Sequence, residues 1–232
     1  MRRLFLAVFL GLVAAWTFAA EPQPVRVLFV GDTLASSSIP ARVAKAAQAT
    51  GRSVTVHAVA RDDQSAELLA RGWEIVVLQE DGFDERERFV ERVKRWAATV
   101  RESGAKPALF MAWPRADRLS EFRDTIAAHR AAAEASGAAL LPVAESWLRA
   151  FGEDRKLKLY ADAKSASPLG ADLAALTVYL ALFPAGPQEF DDAFVRRIAA
   201  ALDMPPATRD LIFDMATRAI DEPLALGKPR SP

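Results

Sequence analysis

The chain has 232 residues, 51% hydrophobic and 26% charged, a composition that supports a large buried core and excludes a disordered protein. Thirty Lys and Arg balance thirty Asp and Glu, so the basic excess of a nucleic-acid binder is missing and that class of partner is set aside. There is no cysteine, which excludes a disulfide framework, thiolate metal sites and a cysteine nucleophile, and the only histidines are His57 and His129.

Residues 1–20 read as a secretory signal peptide. Arg2 and Arg3 precede an apolar run from Leu4 to Trp16, and small residues follow around Thr17, Ala19 and Ala20. The run is short for a membrane span of about 20 residues, so cleavage near Ala19 or Ala20 is expected, with export to the periplasm or beyond. Losing Arg2 and Arg3 leaves 28 basic against 30 acidic side chains. No later segment resembles a membrane span.

From residue 25 strand and helix signals alternate. Residues 25–30 (VRVLFV) form an apolar run ending at Gly31; Ser38 is placed to cap a helix that starts with Ile39-Pro40 and closes at Gly51. Residues 53–60 are β-branched and alternating, 64–71 suggest a short helix, and 75–79 (IVVLQ) a buried strand. Between 84 and 103, Phe89, Val93, Trp96, Ala97 and Val100 fall at helical spacing, with the charged run 84–94 as the wet face. Strand 107–112, helix 121–136 and strand 138–143 follow. Beyond them lie a short helix at 146–151, a polar loop at 152–166 and an apolar helix at 168–182 capped by Ser167. Helices at 190–202 and 206–220 and a frayed tail at 222–232 complete the chain. Near-continuous apolar strands between amphipathic helices predict a three-layer α/β/α sandwich around a five-stranded parallel sheet, flavodoxin-like in class. The expected organisation is a signal peptide at 1–20, one α/β domain at 21–185 and a helical extension with tail at 186–232.

In such sheets ligands bind beyond the carboxyl ends of the strands. The loop after the first strand, Gly31-Asp32-Thr33-Leu34-Ala35-Ser36-Ser37-Ser38, lacks both the G-x-G-x-x-G and the G-K-[ST] patterns, so no nucleotide cofactor is expected. Instead VLFVGDTLA (27–35) resembles the opening block of the SGNH, or GDSL, hydrolases. WEIVVLQED (73–81) is similar to the third block of the family branch that carries V-V-L-Q-E, FMAWPRADR (110–118) to the loop after its fourth strand, and LPVAESW (141–147) to the stretch after its fifth. LYADAKSASPLGADLAAL (159–176) resembles the final D-x-x-H block and its helix. The pieces occur in order over residues 25–183.

The resemblance implies an SGNH-hydrolase-like fold and ester hydrolysis by a serine nucleophile, a histidine base and an orienting aspartate, with an oxyanion hole of backbone N–H groups, a glycine and an amide side chain. Carried over, the nucleophile position is Thr33, the aspartate Asp162 and the histidine Ser165; the amide is Gln79, and residues 60–64 offer no glycine. Threonine keeps a hydroxyl but its β-methyl restricts the rotamer. Serine in place of histidine is the graver change, because a neutral hydroxyl cannot take and return a proton near pH 7. The expected binding residues are Gly31, Asp32, Gln79, Trp113 and Arg115, the last two stacking on or clamping a sugar or acyl carboxylate at the cleft rim; the alternatives are that Trp113 simply covers the sheet edge and that Asp32 caps its turn or pairs with a nearby arginine.

Neither histidine is placed as a substitute. His57 lies about three residues, roughly 10 Å, before the end of its strand and reads as packed against a helix; His129 falls on the core face of its helix. No metal site is expected. Glu80 and Asp81 read as solvated loop residues, the alternative being a carboxylate pair for acid–base work. Two functions follow. The favoured one is an exported hydrolase-like pseudoenzyme binding a small acyl or glycan ligand in the cleft or a periplasmic protein partner. The alternative is a weak or divergent esterase on acylated glycans or lipids, with Thr33 as nucleophile.

Overall fold

The computed structural model describes residues 23–61, 64–80, 85–186 and 189–226. Strands β1 (Val25–Val30), β2 (Val54–Val59), β3 (Ile75–Leu78), β4 (Lys106–Phe110) and β5 (Ala139–Leu141) pair in parallel in the order β2-β1-β3-β4-β5. This is a doubly wound α/β sheet whose order reverses between β1 and β3, the usual place for a ligand. The signal-peptide reading of residues 1–20 lies outside the described residues.

Alternation along the strands sorts side chains onto two buried faces. Val27, Phe29, Val77, Ala108, Phe110 and Leu141 point into one core, shared with α2 (Ile39–Ala49), α6 (Val143–Glu153) and α7 (Pro168–Leu182). Leu28, Val30 and Val76 point the other way, against Leu69 of α3 (Gln64–Leu69) and Val100 of α4 (Arg86–Glu102). Leu109 meets Phe89 and Val93 of α4 and Ala128 and Ala132 of α5 (Phe122–Ser136). The three-layer sandwich read from the sequence is the fold observed.

Helix α7 is buried all round, from Gly170 through Leu180. A helix apolar on every side needs cover on every side, and here α2, α6, β5 and α9 (Pro206–Asp221) supply it. Ile212, Phe213, Met215 and Ala216 of α9, with Phe194 and Ile198 of α8 (Asp192–Ala201), lie in the same apolar cluster as Val27 and Phe29. The C-terminal helices are thus part of the main core.

Several local expectations are corrected. The loop at 31–38 contains a short helix, α1 (Asp32–Ser36). Ser38 does not cap α2 with its side chain; the Ser37 hydroxyl accepts from the Ile39 N–H at 3.3 Å, and Ser38 instead accepts from Arg42 Nε at 3.1 Å. The fifth strand stops at Leu141 because Pro142 has no N–H for the ladder, and α6 begins at Val143, with the Ala144 N–H donating to the Met111 carbonyl at 3.0 Å. Glu222–Leu226 is not frayed: Leu224 and Leu226 pack on the main core; residues 227–232 lie outside the described residues.

Tail, α5 and α6 meet at a buried ion pair. Glu145 on α6 is 1% exposed and accepts from Arg130 of α5 through Nε at 2.9 Å and through its terminal nitrogen at 2.7 Å. Removing one partner of such a pair strands a buried charge. Arg130→Ala is therefore expected to cost about 3 kcal/mol of stability in urea unfolding, whereas the double change Arg130→Met with Glu145→Leu recovers most of that loss.

Candidate functional site

Two groups of residues gather at the carboxyl ends of the strands. The first sits at the β1/β3 reversal. Gly31 leaves β1 with φ of 151°, a conformation L side chains rarely adopt, and a Cβ there would lie 2.5 Å from the Gln79 Cβ. Glycine is thus required both by backbone conformation and by the close approach of β3. The Gly31 N–H donates to the Val59 carbonyl at 3.0 Å and the Gln79 N–H to the Val30 carbonyl at 2.8 Å, which extends both ladders by one residue. Gln79 is 5% exposed and its Oε1 accepts from the Leu34 N–H at 2.9 Å. This amide anchors the first turn of α1 and so fixes Thr33, which is half-buried one residue earlier.

Asp32 is exposed, and its Oδ1 accepts from the Arg61 N–H at 3.2 Å. Asp32 makes no cap on its own turn; the bond reaches instead to the backbone at the end of β2. It also engages the backbone N–H within the 60–64 stretch, where the family's glycine donor would stand.

The second group joins the loop after β4 to the loop before α7. Trp113 donates from its indole N–H to the Lys164 carbonyl at 3.0 Å and stacks on buried Trp147 with ring centres 4.0 Å apart. The Ala116 N–H donates to the Ala163 carbonyl at 2.9 Å, and Tyr160 donates its hydroxyl to the Pro114 carbonyl at 2.6 Å. Burial pushes the Tyr160 hydroxyl pKa up, so it remains a neutral donor. Asp162 and Ser165 are exposed on this second loop. Asp162 Oδ1 accepts from the N–H groups of Ser165 and Lys164, both at 2.7 Å. Those bonds, with a smaller contribution from the Arg115 charge, hold its carboxyl below the usual range. Arg115 turns its fork onto Asp117, Nε to Oδ1 at 2.9 Å and NH2 to Oδ2 at 3.2 Å, so this bidentate face is engaged within its own loop.

The structure thus unites Gly31, Asp32, Thr33 and Gln79 in one cluster, and Trp113, Arg115, Asp162 and Ser165 in another. Among the described residues no hydrogen bond or ion pair links Thr33 to Asp162 or Ser165.

The histidines are committed elsewhere. His57 is exposed rather than packed under a helix, because β2 is an edge strand; it pairs in register with Leu28 and stacks on Trp73 at 6.0 Å. His129 is buried on α5, its Nδ1 2.8 Å from the Thr125 carbonyl and its ring edge-on to Phe89. Glu80 is likewise not solvated. It is 5% exposed and lies between Arg92 of α4, at 2.6 Å, and Arg61; Asp81 lies outside the described residues. The arginines come from two other elements, and nothing local to Glu80 reveals them. Missed too was the pair of Asp172, on α7, with Arg42, on α2, which also reaches the Leu202 carbonyl at 3.4 Å. Among the described residues no cluster of three His, Cys, Asp or Glu could hold a metal ion, and no helix is long and apolar enough to cross a membrane.

No family model matches this sequence, and no curated protein matches it. Among solved structures the chain is similar to a protein of Slackia heliotrinireducens described as "a putative SGNH hydrolase", at 26% identity and a TM-score of 0.52. The match covers 69% of this chain and 98% of that one.

Two measurements test these environments. Gly31→Ala combines a strained φ with an overlap against Gln79, and is expected to lower stability by about 3 kcal/mol in chemical denaturation. Burial pushes the His129 pKa down to about 4, against the opposing pull of the Thr125 carbonyl. The folded state therefore holds this imidazole neutral: its contribution is complete above the ordinary value near 6.5 and is lost as pH falls towards 4. Asp172 runs the other way, its carboxyl raised to about 6 by burial against the pull of Arg42, so that ionisation disfavours the fold as pH rises from the ordinary carboxylate value to 6. Comparison with His129→Leu isolates the imidazole. Between pH 7 and 4 the unaltered protein is expected to lose about 3 kcal/mol more than this variant, measured by urea unfolding at each pH. In fold as in motif order, the chain resembles the SGNH hydrolases.

Proposed function

We propose that this is an exported SGNH-hydrolase-like protein that has lost ester hydrolysis and uses the retained cleft to bind a ligand, with a small acyl or glycan group or a periplasmic protein as the partner. The observation that carries this reading is the state of the residues at the base position. Ser165 stands where the family has histidine, and Asp162, which would orient that base, closes a turn on the Lys164 and Ser165 N–H groups. A carboxylate stabilised in this way is a poorer proton acceptor than an ordinary one.

Among the described residues no other group is positioned as a substitute. A desolvated carboxylate can act as a base when burial raises its pKa. Asp162 is exposed and shifted in the opposite direction, and Glu80 is neutralised by Arg61 and Arg92. His129 is held by Thr125 inside the α4–α5 layer, and His57 lies beside Trp73 on the opposite sheet face from Gly31. Export rests on the charged, apolar and small-residue order of residues 1–20.

The second reading, a slow esterase, is favoured by one feature: the Gly31–Gln79 packing that sets up the nucleophile turn is intact. Hydrolysis of p-nitrophenyl acyl esters, with covalent labelling by a fluorophosphonate probe, separates the two. The expected result is no labelling and no turnover above the level of Thr33→Ala; labelling that Thr33→Ala abolishes would establish the esterase. Restoring Thr33→Ser and Ser165→His together is expected to raise turnover by at least 100-fold over either single change, since the nucleophile and its base act as a unit.

A further inference from the structure

The C-terminal segment is held in an unusual way. After α9 ends at Asp221, residues 222–226 continue without helix or strand, with Leu224 and Leu226 packed on the core while Pro223 and Ala225 are exposed. Such a two-residue alternation is that of a strand, yet this segment belongs to no sheet. Its ladder bonds are supplied by side chains. The Leu224 N–H donates to Glu145 Oε2 at 3.0 Å, the Leu224 carbonyl accepts from Arg130 at 2.8 Å, and the Glu222 carbonyl accepts from Arg149.

The Arg130–Glu145 pair thus offers one donor and one acceptor, side by side, to the backbone of a single residue. Both are charged, and Glu145 is almost completely desolvated, the setting in which such bonds are strongest. What they read is peptide backbone plus two leucines spaced two apart. Nothing in that recognition requires the segment to belong to the same chain.

We propose that Arg130, Glu145 and the adjoining apolar surface form an acceptor site for an extended apolar peptide, filled here by the chain's own Glu222–Leu226 and able to take the same segment from a second copy. An identical element always fits the site it vacates, which makes exchange between copies inexpensive in new contacts. The short connection from α9 gives the attached segment a high effective concentration, so the copy in cis prevails until it is weakened.

The test uses the full chain with Leu224→Asp and Leu226→Asp, which releases the segment, and a fluorescein-labelled peptide of residues 221–228. A saturable rise in anisotropy is expected, at least tenfold weaker with the unaltered protein, whose site is filled, and absent with a control peptide carrying Asp at both leucine positions. A cooperatively folded variant that fails to bind, or that binds both peptides equally, overturns the proposal. Hydrogen exchange on the unaltered protein decides independently of that variant. The Leu224 amide is expected to exchange by local opening, faster than the central amides of α9; exchange only through global unfolding would make the segment a fixed part of the fold and sink the idea.

Discussion

A helix with no polar side dictates much of this architecture. Because α7 is buried around its whole circumference, with Asp172 and Thr177 its only inward polar groups besides the Tyr179 hydroxyl, it must be enclosed, and the sheet with α2 covers only part of it. The rest is closed by α6 and α9. The same helix fixes the loop in front of it. Ser167 caps its first turn by accepting from the Gly170 N–H and donates to the Lys158 carbonyl, while a Cβ at Gly170 would lie 2.1 Å from the Leu159 carbonyl oxygen. The loop carrying Asp162 and Ser165 is therefore pressed against Trp147 and the segment after β4 by the packing of α7.

This explains how an SGNH-like framework persists while the residues at its chemical positions differ from the family pattern. Gly31 and Gly170 are each enforced by a close approach that leaves no room for a Cβ, and Gln79 by its bond to the Leu34 N–H. Asp162 and Ser165 answer to nothing of the kind, since both are exposed and bonded within their own turn. Packing retains the first set whatever the protein does, whereas only chemistry would retain a histidine at the second.

How far the fold could be read in advance follows the same division between local and distant causes. The runs VRVLFV and IVVL were legible as strands because both sheet faces are buried and, Arg26 apart, every residue in them is apolar. The helix at Asp32–Ser36 was not, because five residues directly after a glycine and before Ser37 and Ser38 are too few to show a helical period and carry the signal of a turn. Glu80 looked like a wet loop residue, since the two arginines that make its burial tolerable come from the end of β2 and from α4. The short tail with its two leucines looked frayed for want of any local partner, and its partners lie on α5 and α6. Of the site, the membership of Gly31, Thr33 and Gln79 in one cluster was legible through motif order, but the bond from Leu34 to Gln79 spans 45 residues and required the fold.

The buried acids follow one rule. Glu80, Glu145 and Asp172 are all nearly inaccessible, and each faces arginine: Arg61 with Arg92, Arg130, and Arg42. Such pairs add little net stability over well-packed apolar residues, because desolvation consumes most of the Coulombic gain. What they impose is position: an arginine fork accepts a carboxylate in few geometries. Each pair ties separate elements together: the end of β3 to α4, α5 to α6 and the tail, α2 to α7 and the end of α8. At Asp172 burial outweighs the pull of Arg42 and raises the carboxyl to about 6, so the pairing there offsets only part of the desolvation. Burial of these three acids is here coupled to register between elements of the fold.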